Sequence, residues 1–343
     1  MRKTIQKTLI LFSAILFVAI FPLLGVYTTN TTTYASDDRE VILGGYPIGI
    51  IADGNGLLVT ELINVTTQSG SFSPALKAGM KKGDIILSVN EENVTQINRL
   101  NELVQQGSPL QMQIKRDGNE SSITIEPTYD LVTNSYKLGV MVKNNVIGIG
   151  TMTFITKEGA FGALGHRITD SFGNDSLYQK GKIFPCMITG YKKAAQDTPG
   201  ELIGKIEPDP DGIGTIEKNV YCGIYGKLFN TETFSPQTII PVGTKEEVKS
   251  GKAQILTTIE GDIPKTYSIE IVKAFSQNKP SEKGMVIRVT DRELLSTTGG
   301  ILQGMSGSPI LQNGKLIGAV THVFTNDSTM GYGIYVDWMM KEA

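Results

Sequence analysis

Apolar residues in this chain recur mostly at every second position, in short runs closed by Gly, Asn, Asp or Pro. The run Gln111-Met112-Gln113-Ile114-Lys115-Arg116 alternates strictly, Asp117-Gly118 supplies a hairpin turn, and residues 122–126 return as a second strand. A strand is also expected over 56–60. Ile97, Leu100 and Val104 share one face at i, i+3 and i+7, which predicts a helix over about 98–106. Beyond residue 131 the same strand-like pattern continues at 146–149, 151–155, 254–259 and 267–272. Helical periodicity of any length is absent there until the last few residues, so that half is expected to be an all-β barrel or sandwich.

The N-terminus breaks the pattern. Arg2, Lys3 and Lys7 precede an uncharged run over 9–27, long enough to cross a bilayer as a helix. Positive charge before it places the N-terminus in the cytoplasm and the rest outside. A cleaved signal peptide ending near Thr33-Tyr34-Ala35 is the rival reading, and either one exports the body of the protein. The expected division is an anchor at 1–28, a polar linker at 29–40, a first module at 41–130 and a second domain at 131–343.

Composition is that of a globular protein, 40% hydrophobic and 19% charged, with a net charge of −2. No basic surface is implied, so nucleic acid is not an expected partner. Cys186 and Cys222 are too few for a disulfide scaffold and lack zinc-site spacing. They read as buried thiols, and no metal or cofactor is expected.

The first module resembles a PDZ domain. Ser73-Pro74-Ala75-Leu76-Lys77-Ala78-Gly79-Met80 followed by Lys82-Gly83-Asp84-Ile85-Ile86-Leu87-Ser88-Val89-Asn90 matches that family's helix, turn and strand. The resemblance implies an extended peptide added to a sheet edge, possible ligands including this chain's own termini. Tyr46-Pro47-Ile48-Gly49-Ile50 is the segment that resembles the carboxylate-binding loop. A groove packed against the second domain, binding nothing free, is the competing expectation.

The strongest chemical signal is Gly304-Met305-Ser306-Gly307-Ser308-Pro309. It resembles the nucleophile loop of trypsin-like serine proteases, where small residues expose the Ser oxygen and let backbone N–H groups approach a substrate carbonyl. Such a hydroxyl needs a base, and the chain has two histidines. His166, in Gly165-His166-Arg167-Ile168-Thr169-Asp170, is the expected base. His322, with Thr321 and Val323, falls on the strand after the nucleophile and is expected to line the substrate cleft. By the same analogy Gly304 and Ser306 supply oxyanion-hole N–H groups. Gly299 and Gly300 sit near the pocket floor without an acid, so no Lys/Arg preference is expected. Met305 stands where trypsin-like enzymes carry the acid that pairs with a freed N-terminus, which argues against that activation route.

Taken together, the exported segment, the PDZ-like module, the Gly-His-x-Ile-x-Asp segment and the Gly284–Ser306 stretch resemble the sporulation stage IV protein B family of serine peptidases. The resemblance implies a PDZ-like α+β module followed by a trypsin-like double β-barrel, and it implies Asp291 as the triad's acid beside His166 and Ser306. The residues alone would not have chosen Asp291; Asp170, Asp209 and Asp211 were the local alternatives. The family further implies a signalling protease of endospore formation. It would act between the forespore and mother-cell membranes, cutting a membrane-protein regulator of an intramembrane protease that processes a pro-sigma factor, and cutting itself. The alternatives are a non-catalytic PDZ/β-barrel binding protein and a general extracytoplasmic quality-control protease.

Overall fold

Two strands of 16 residues each, Pro47–Leu62 and Val140–Ile155, pair antiparallel over almost their whole length and organise the molecule. They belong to a computed structural model that describes residues 39–343, apart from 171, 174–176, 195–197, 208 and 210. The expected anchor at 1–28, and all but the last two residues of the expected linker, lie outside the described residues. Among the described residues no helix is long and apolar enough to cross a membrane.

Toward the Pro47 end the two long strands enter a six-stranded ring. Pro47–Leu62 pairs with Lys180–Lys192, which pairs with Gly214–Val220, then Gly223–Leu228, Ala160–Ala163 and back to Val140–Ile155. Its core holds Ile48, Ile50, Phe161, Ile183 and Ile224. A second closed barrel runs in the order Gly251–Thr257, Lys265–Ala274, Met285–Val289, Met330–Tyr335, Lys315–Val323 and Pro309–Gln312. The described residues are therefore mainly β, as the alternating pattern predicts, and they form two closed rings of strands, the double barrel that the resemblance implies.

The PDZ unit is carried between the two long strands. Leu57 and Leu58 pair with Ile86 and Ile85 of the strand Ile85–Val89, and the sheet continues through Leu110–Arg116 to Asn119–Ile125. The helix Ile97–Gln105 buries Leu100, Leu103 and Val104 against this sheet, matching the predicted face. Adjacent strand residues point to opposite faces. Leu57 and Ile86 thus enter the PDZ core while Leu58 and Ile85 enter the core of the first barrel, so the two units share a buried sheet face.

These pairings move one expected boundary. Residues 47–53 pair with 145–151 and 180–185 of the barrel, not with the PDZ sheet. The sequence expectation of a PDZ module starting at 41 gives way to a module inserted into the first barrel. The cause is that a 16-residue strand is long enough to serve both sheets.

Asp84 anchors the module's tight turn. It is fully buried, accepts both arms of the Arg116 guanidinium at 2.6 Å and receives the Lys81 N–H at 2.8 Å. Removing one partner of such a pair leaves the other unsatisfied. Asp84→Ala is expected to cost the PDZ unit about 3 kcal/mol, read as a lowered first transition in urea unfolding of the full chain, while Asp117→Ala on the exposed turn moves it little.

Candidate active site

A cleft of about 800 Å³ is lined by both barrels, with His166, Glu282, Gly304, Ser306, Thr321, His322 and Val323 on its walls. The loop that carries Ser306 is held from the first barrel. Thr151 N–H donates to the Ser306 carbonyl at 2.9 Å, its hydroxyl donates to the Gly304 carbonyl at 2.9 Å, and the Thr153 hydroxyl donates to the Gly307 carbonyl at 2.8 Å. Met305 is fully buried in the large core that fills the second barrel. An apolar residue there plugs the loop into the core.

Two glycines are required by this geometry. Gly304 has φ +97°, a left-handed conformation that side chains rarely adopt. Gly307 has φ +95° and lies so close to the first barrel that a Cβ would sit 2.0 Å from the Thr151 carbonyl oxygen. The N–H groups of Gly304 and Ser306 donate to no acceptor among the described residues. Two free donors flanking a serine on a turned loop are what an oxyanion hole requires.

Ser306 Oγ donates to the Thr321 carbonyl at 2.8 Å. It rests on the second barrel and must rotate to engage a base. His166 reaches the cleft from a loop of the first barrel that opens with Leu164 at φ +67°. Asn219, buried on the strand Gly214–Val220, accepts the Ile168 N–H at 2.8 Å and donates to the Ile168 carbonyl at 2.9 Å, pinning the chain two residues past the histidine. His166 Nδ1 lies 2.8 Å from the Arg167 carbonyl. A carbonyl only accepts, so Nδ1 carries the proton and Nε2 keeps its lone pair. Burial lowers the His166 pKa, partly opposed by the Arg167 carbonyl and the charge of Glu282.

His322 stands beside it, the ring centroids 5.0 Å apart. Burial, then His166 and Lys283, push the His322 pKa down to about 4. Sequence reasoning placed His322, Thr321 and Val323 on the cleft, and all three line it. It missed Glu282, the carboxylate that faces the cleft and acts on His166. Ser281-Glu282-Lys283 lies in a loop with no motif, so no local pattern could have singled it out.

Asp291, expected as the acid, is not among the residues that line the cleft with His166. Its carboxylate caps the helix Arg292–Thr298, accepting Leu294 N–H at 3.1 Å and Ser268 N–H at 3.2 Å. Asp291 is the N-cap of this helix, with one N–H accepted by each oxygen. Asp170 is buried, accepts the Phe172 N–H at 2.8 Å and lies off the cleft lining. Asp209 and Asp211 are exposed, with Asp209 accepting the Asp211 N–H at 2.9 Å.

The segment Tyr46-Pro47-Ile48-Gly49-Ile50, expected to bind a peptide carboxylate, lies in the first barrel between strands on both sides. Its edges are used, and Ile48 and Ile50 are buried. The open groove of the PDZ unit lies instead between Leu100 and Val104 of the helix and residues 138–142. Cys186 and Cys222 are buried free thiols. Burial raises the Cys186 pKa to about 11, which keeps that thiol protonated and inert.

With this geometry, comparison with known proteins is informative. The model of the family described as SpoIVB peptidase S55 matches residues 134–340, more than half of the chain, and a PDZ domain model matches 65–116. The chain belongs to the SpoIVB peptidase S55 family. It is thus a member of a family of serine peptidases and carries a PDZ domain. A putative zinc metalloprotease of Thermotoga maritima is 34% identical over 68 residues, covering 18% of this chain and 14% of that protein. This chain therefore spans about a seventh of that relative's length. Among solved structures, the active form of the Rv3671c protease from M. tuberculosis aligns over 57% of this chain and 72% of its own, at 15% identity and TM-score 0.31. The PDZ domain of an SdrC-like protein from Listeria monocytogenes aligns over 26% and 87%, at 15% identity and TM-score 0.21.

The packing at Gly307 gives a direct test. Gly307→Ala is expected to abolish labelling of Ser306 by a fluorophosphonate probe, by about a hundredfold or more, because the loop and its donors must shift. Gly314→Ala, where a Cβ meets nothing within 4 Å, should leave labelling intact and cost only about 1 kcal/mol in stability from its φ of +75°.

Proposed function

We propose that the chain is a serine endopeptidase in which Ser306 is the nucleophile and His166 the general base. The single observation that carries this is the convergence, across the barrel junction, of a glycine-flanked serine, two free N–H donors and an imidazole with its Nε2 lone pair available. In the reaction, Ser306 Oγ leaves the Thr321 carbonyl and gives its proton to His166 Nε2 as it attacks the scissile carbonyl. The Gly304 and Ser306 N–H groups receive the developing oxyanion. His166 then returns the proton to the leaving amine, and water repeats the sequence to free the acyl group. The Arg167 carbonyl holds the imidazole tautomer, the task an acid performs in the usual triad, and the charge of Glu282 stabilises the imidazolium.

The cleft walls are aliphatic. Ile149, Leu164, Ile301, Leu302, Val320 and Val323 face it. This favours small aliphatic side chains at the scissile position over Lys or Arg. In keeping with the family, the proposed substrate is an exposed segment of a membrane protein that restrains an intramembrane protease, cut outside the cytoplasm during endospore formation. Self-cleavage and a peptide in the PDZ groove belong to the same proposal. A general quality-control role is the second reading, and the family match favours the signalling one.

Three outcomes are expected in assays of peptide cleavage. Ser306→Ala and His166→Ala lose activity by about a thousandfold or more. Asp291→Asn keeps activity within about threefold, because Asn caps a helix nearly as well; a loss as deep as that of Ser306→Ala would return this carboxylate to the triad. The pH profile follows from His166. A base must be neutral, and a lowered pKa keeps it neutral further into acid, so the acid limb of kcat/KM lies on the acid side of an ordinary imidazole titration. Glu282→Gln removes a charge that raises the His166 pKa, so this limb moves to still lower pH. A shift to higher pH would show that Glu282 does not act on the base.

A further inference from the structure

We infer that the free edge of the strand Val140–Ile155 is one continuous peptide track joining the PDZ groove to the catalytic cleft, so that a protein C-terminus seated in the groove is cut about 10–12 residues upstream. The inference rests on the serine endopeptidase reading above and deepens it. On one side this strand pairs with 47–62, from Val140 to Thr151. On the other it pairs with Ala160–Ala163 only from Met152 onward. Residues 140–150 therefore present an edge that takes no strand among the described residues. Thr151 shows which way the backbone faces. Its N–H donates to the Ser306 carbonyl and its carbonyl accepts the Leu164 N–H, both away from 47–62. Backbone groups alternate in direction along a strand. Ile149 and Ile147 thus turn their N–H and C=O to the same free edge, and Ile149, Gly148 and Val146 line the cleft.

The far end of this edge suits a carboxylate. The Leu138 carbonyl accepts the Ala75 N–H at 2.9 Å, and the Gly139 carbonyl accepts the Ile63 N–H and the Ser73 hydroxyl, each at 2.9 Å. The N–H groups of Leu138 and Gly139 donate to no acceptor among the described residues. Gly139 has φ +76°, and a Cβ there would sit 2.6 Å from the Ile63 carbonyl oxygen. Successive free N–H groups on a turned loop attract an anion. Leu100 and Val104 form the facing wall of the groove, which fits an aliphatic C-terminal residue. A peptide added antiparallel puts its C-terminus at Gly139, where the strand begins, and its upstream residues toward Ile149. From Gly139 to Ile149 the strand spans about 33 Å. The slip between Lys143 and Asn145 bends the path and sets a range of lengths. The polarity suits the chemistry. The downstream half of the substrate lies along the first barrel, which carries His166, and His166 must hand its proton to the leaving amine of that half. Hydrolysis adds one water across the amide bond and releases a C-terminal fragment of about 10–12 residues.

The test uses the full-length chain and synthetic peptides that end in alanine and valine. One aliphatic scissile unit is placed about 4, 11 or 18 residues before the C-terminus, which carries a free carboxylate or an amide. Cleavage is expected to peak at the middle spacing, with kcat/KM at least about tenfold above the other two. Amidation is expected to raise KM about tenfold and leave kcat nearly unchanged. Equal rates at all spacings, or no effect of amidation, would overturn the track. Binding gives a readout free of turnover. On the Ser306→Ala chain, fluorescence anisotropy should show a peptide of about 16 residues binding at least about tenfold tighter than its C-terminal hexapeptide. Ile147→Pro removes one N–H from the free edge and leaves the ladder to 47–62 in place. It should erase that difference, whereas Phe229→Ala, at an exposed position, keeps it. Should Ile147→Pro fail to melt cooperatively, the spacing and amidation series on the unaltered chain decides. A long peptide that binds no tighter than the short one also sinks the inference. A chain that binds as expected, yet never cuts and never reacts with a fluorophosphonate, would remove the peptidase reading and leave the track standing. Cutting without regard to spacing would do the reverse.

Discussion

The arrangement depends on three hydrogen bonds that Thr151 and Thr153 make to the nucleophile loop. They hold the Ser306, Gly304 and Gly307 carbonyls from the neighbouring barrel. Each is worth about 1 kcal/mol net, a small sum for folding. Their geometric effect is larger. The same loop leaves the N–H groups of Gly304 and Ser306 without an acceptor among the described residues. The loop that bears these candidate donors is thus held in place by the neighbouring barrel. Catalytic donors must be in place before the charge develops, and a loop held from the neighbouring barrel is suited to that requirement.

The histidine is held by the same logic from the opposite side. Asn219 fixes Ile168 from inside the first barrel, and the Arg167 carbonyl fixes the ring. Neither contact uses an ionised group. The imidazole is therefore oriented by neutral dipoles, and the nearby Glu282 carboxylate acts on it only through space. Such a site keeps its base neutral into mildly acidic solution, where a buried ion pair would have held it protonated.

Much of this was legible in the sequence. The alternation of apolar residues gave the strands, the Ser73–Asn90 motif located the PDZ unit, and the Gly-x-Ser-Gly-x-Pro loop pointed to the nucleophile. The loop was readable because its chemistry is local: six consecutive residues make the turn. His166 was a candidate because the chain has only two imidazoles, and it lies on the cleft with Ser306. What was not readable is long-range. Tyr46–Ile50 has the composition of a carboxylate-binding loop, yet its place in a sheet depends on strands more than ninety residues away. Asp291 carries a capping role that depends on the helix after it. Glu282 has no motif, because it acts through proximity that only the folded chain creates.

The PDZ unit joins the first barrel through two strands that are hydrogen-bonded to each other. At the junction Asp53 lies opposite Asn145, and the register slips between Lys143 and Asn145. A domain hung on a single linker can swivel. One hung on a two-stranded ribbon cannot rotate about the ribbon axis without breaking ladder bonds, and can only flex at the irregularity. The insert is thus a lever and not a tethered ball: anything that seats in its groove can be swung only about that one irregularity and is not free to tumble.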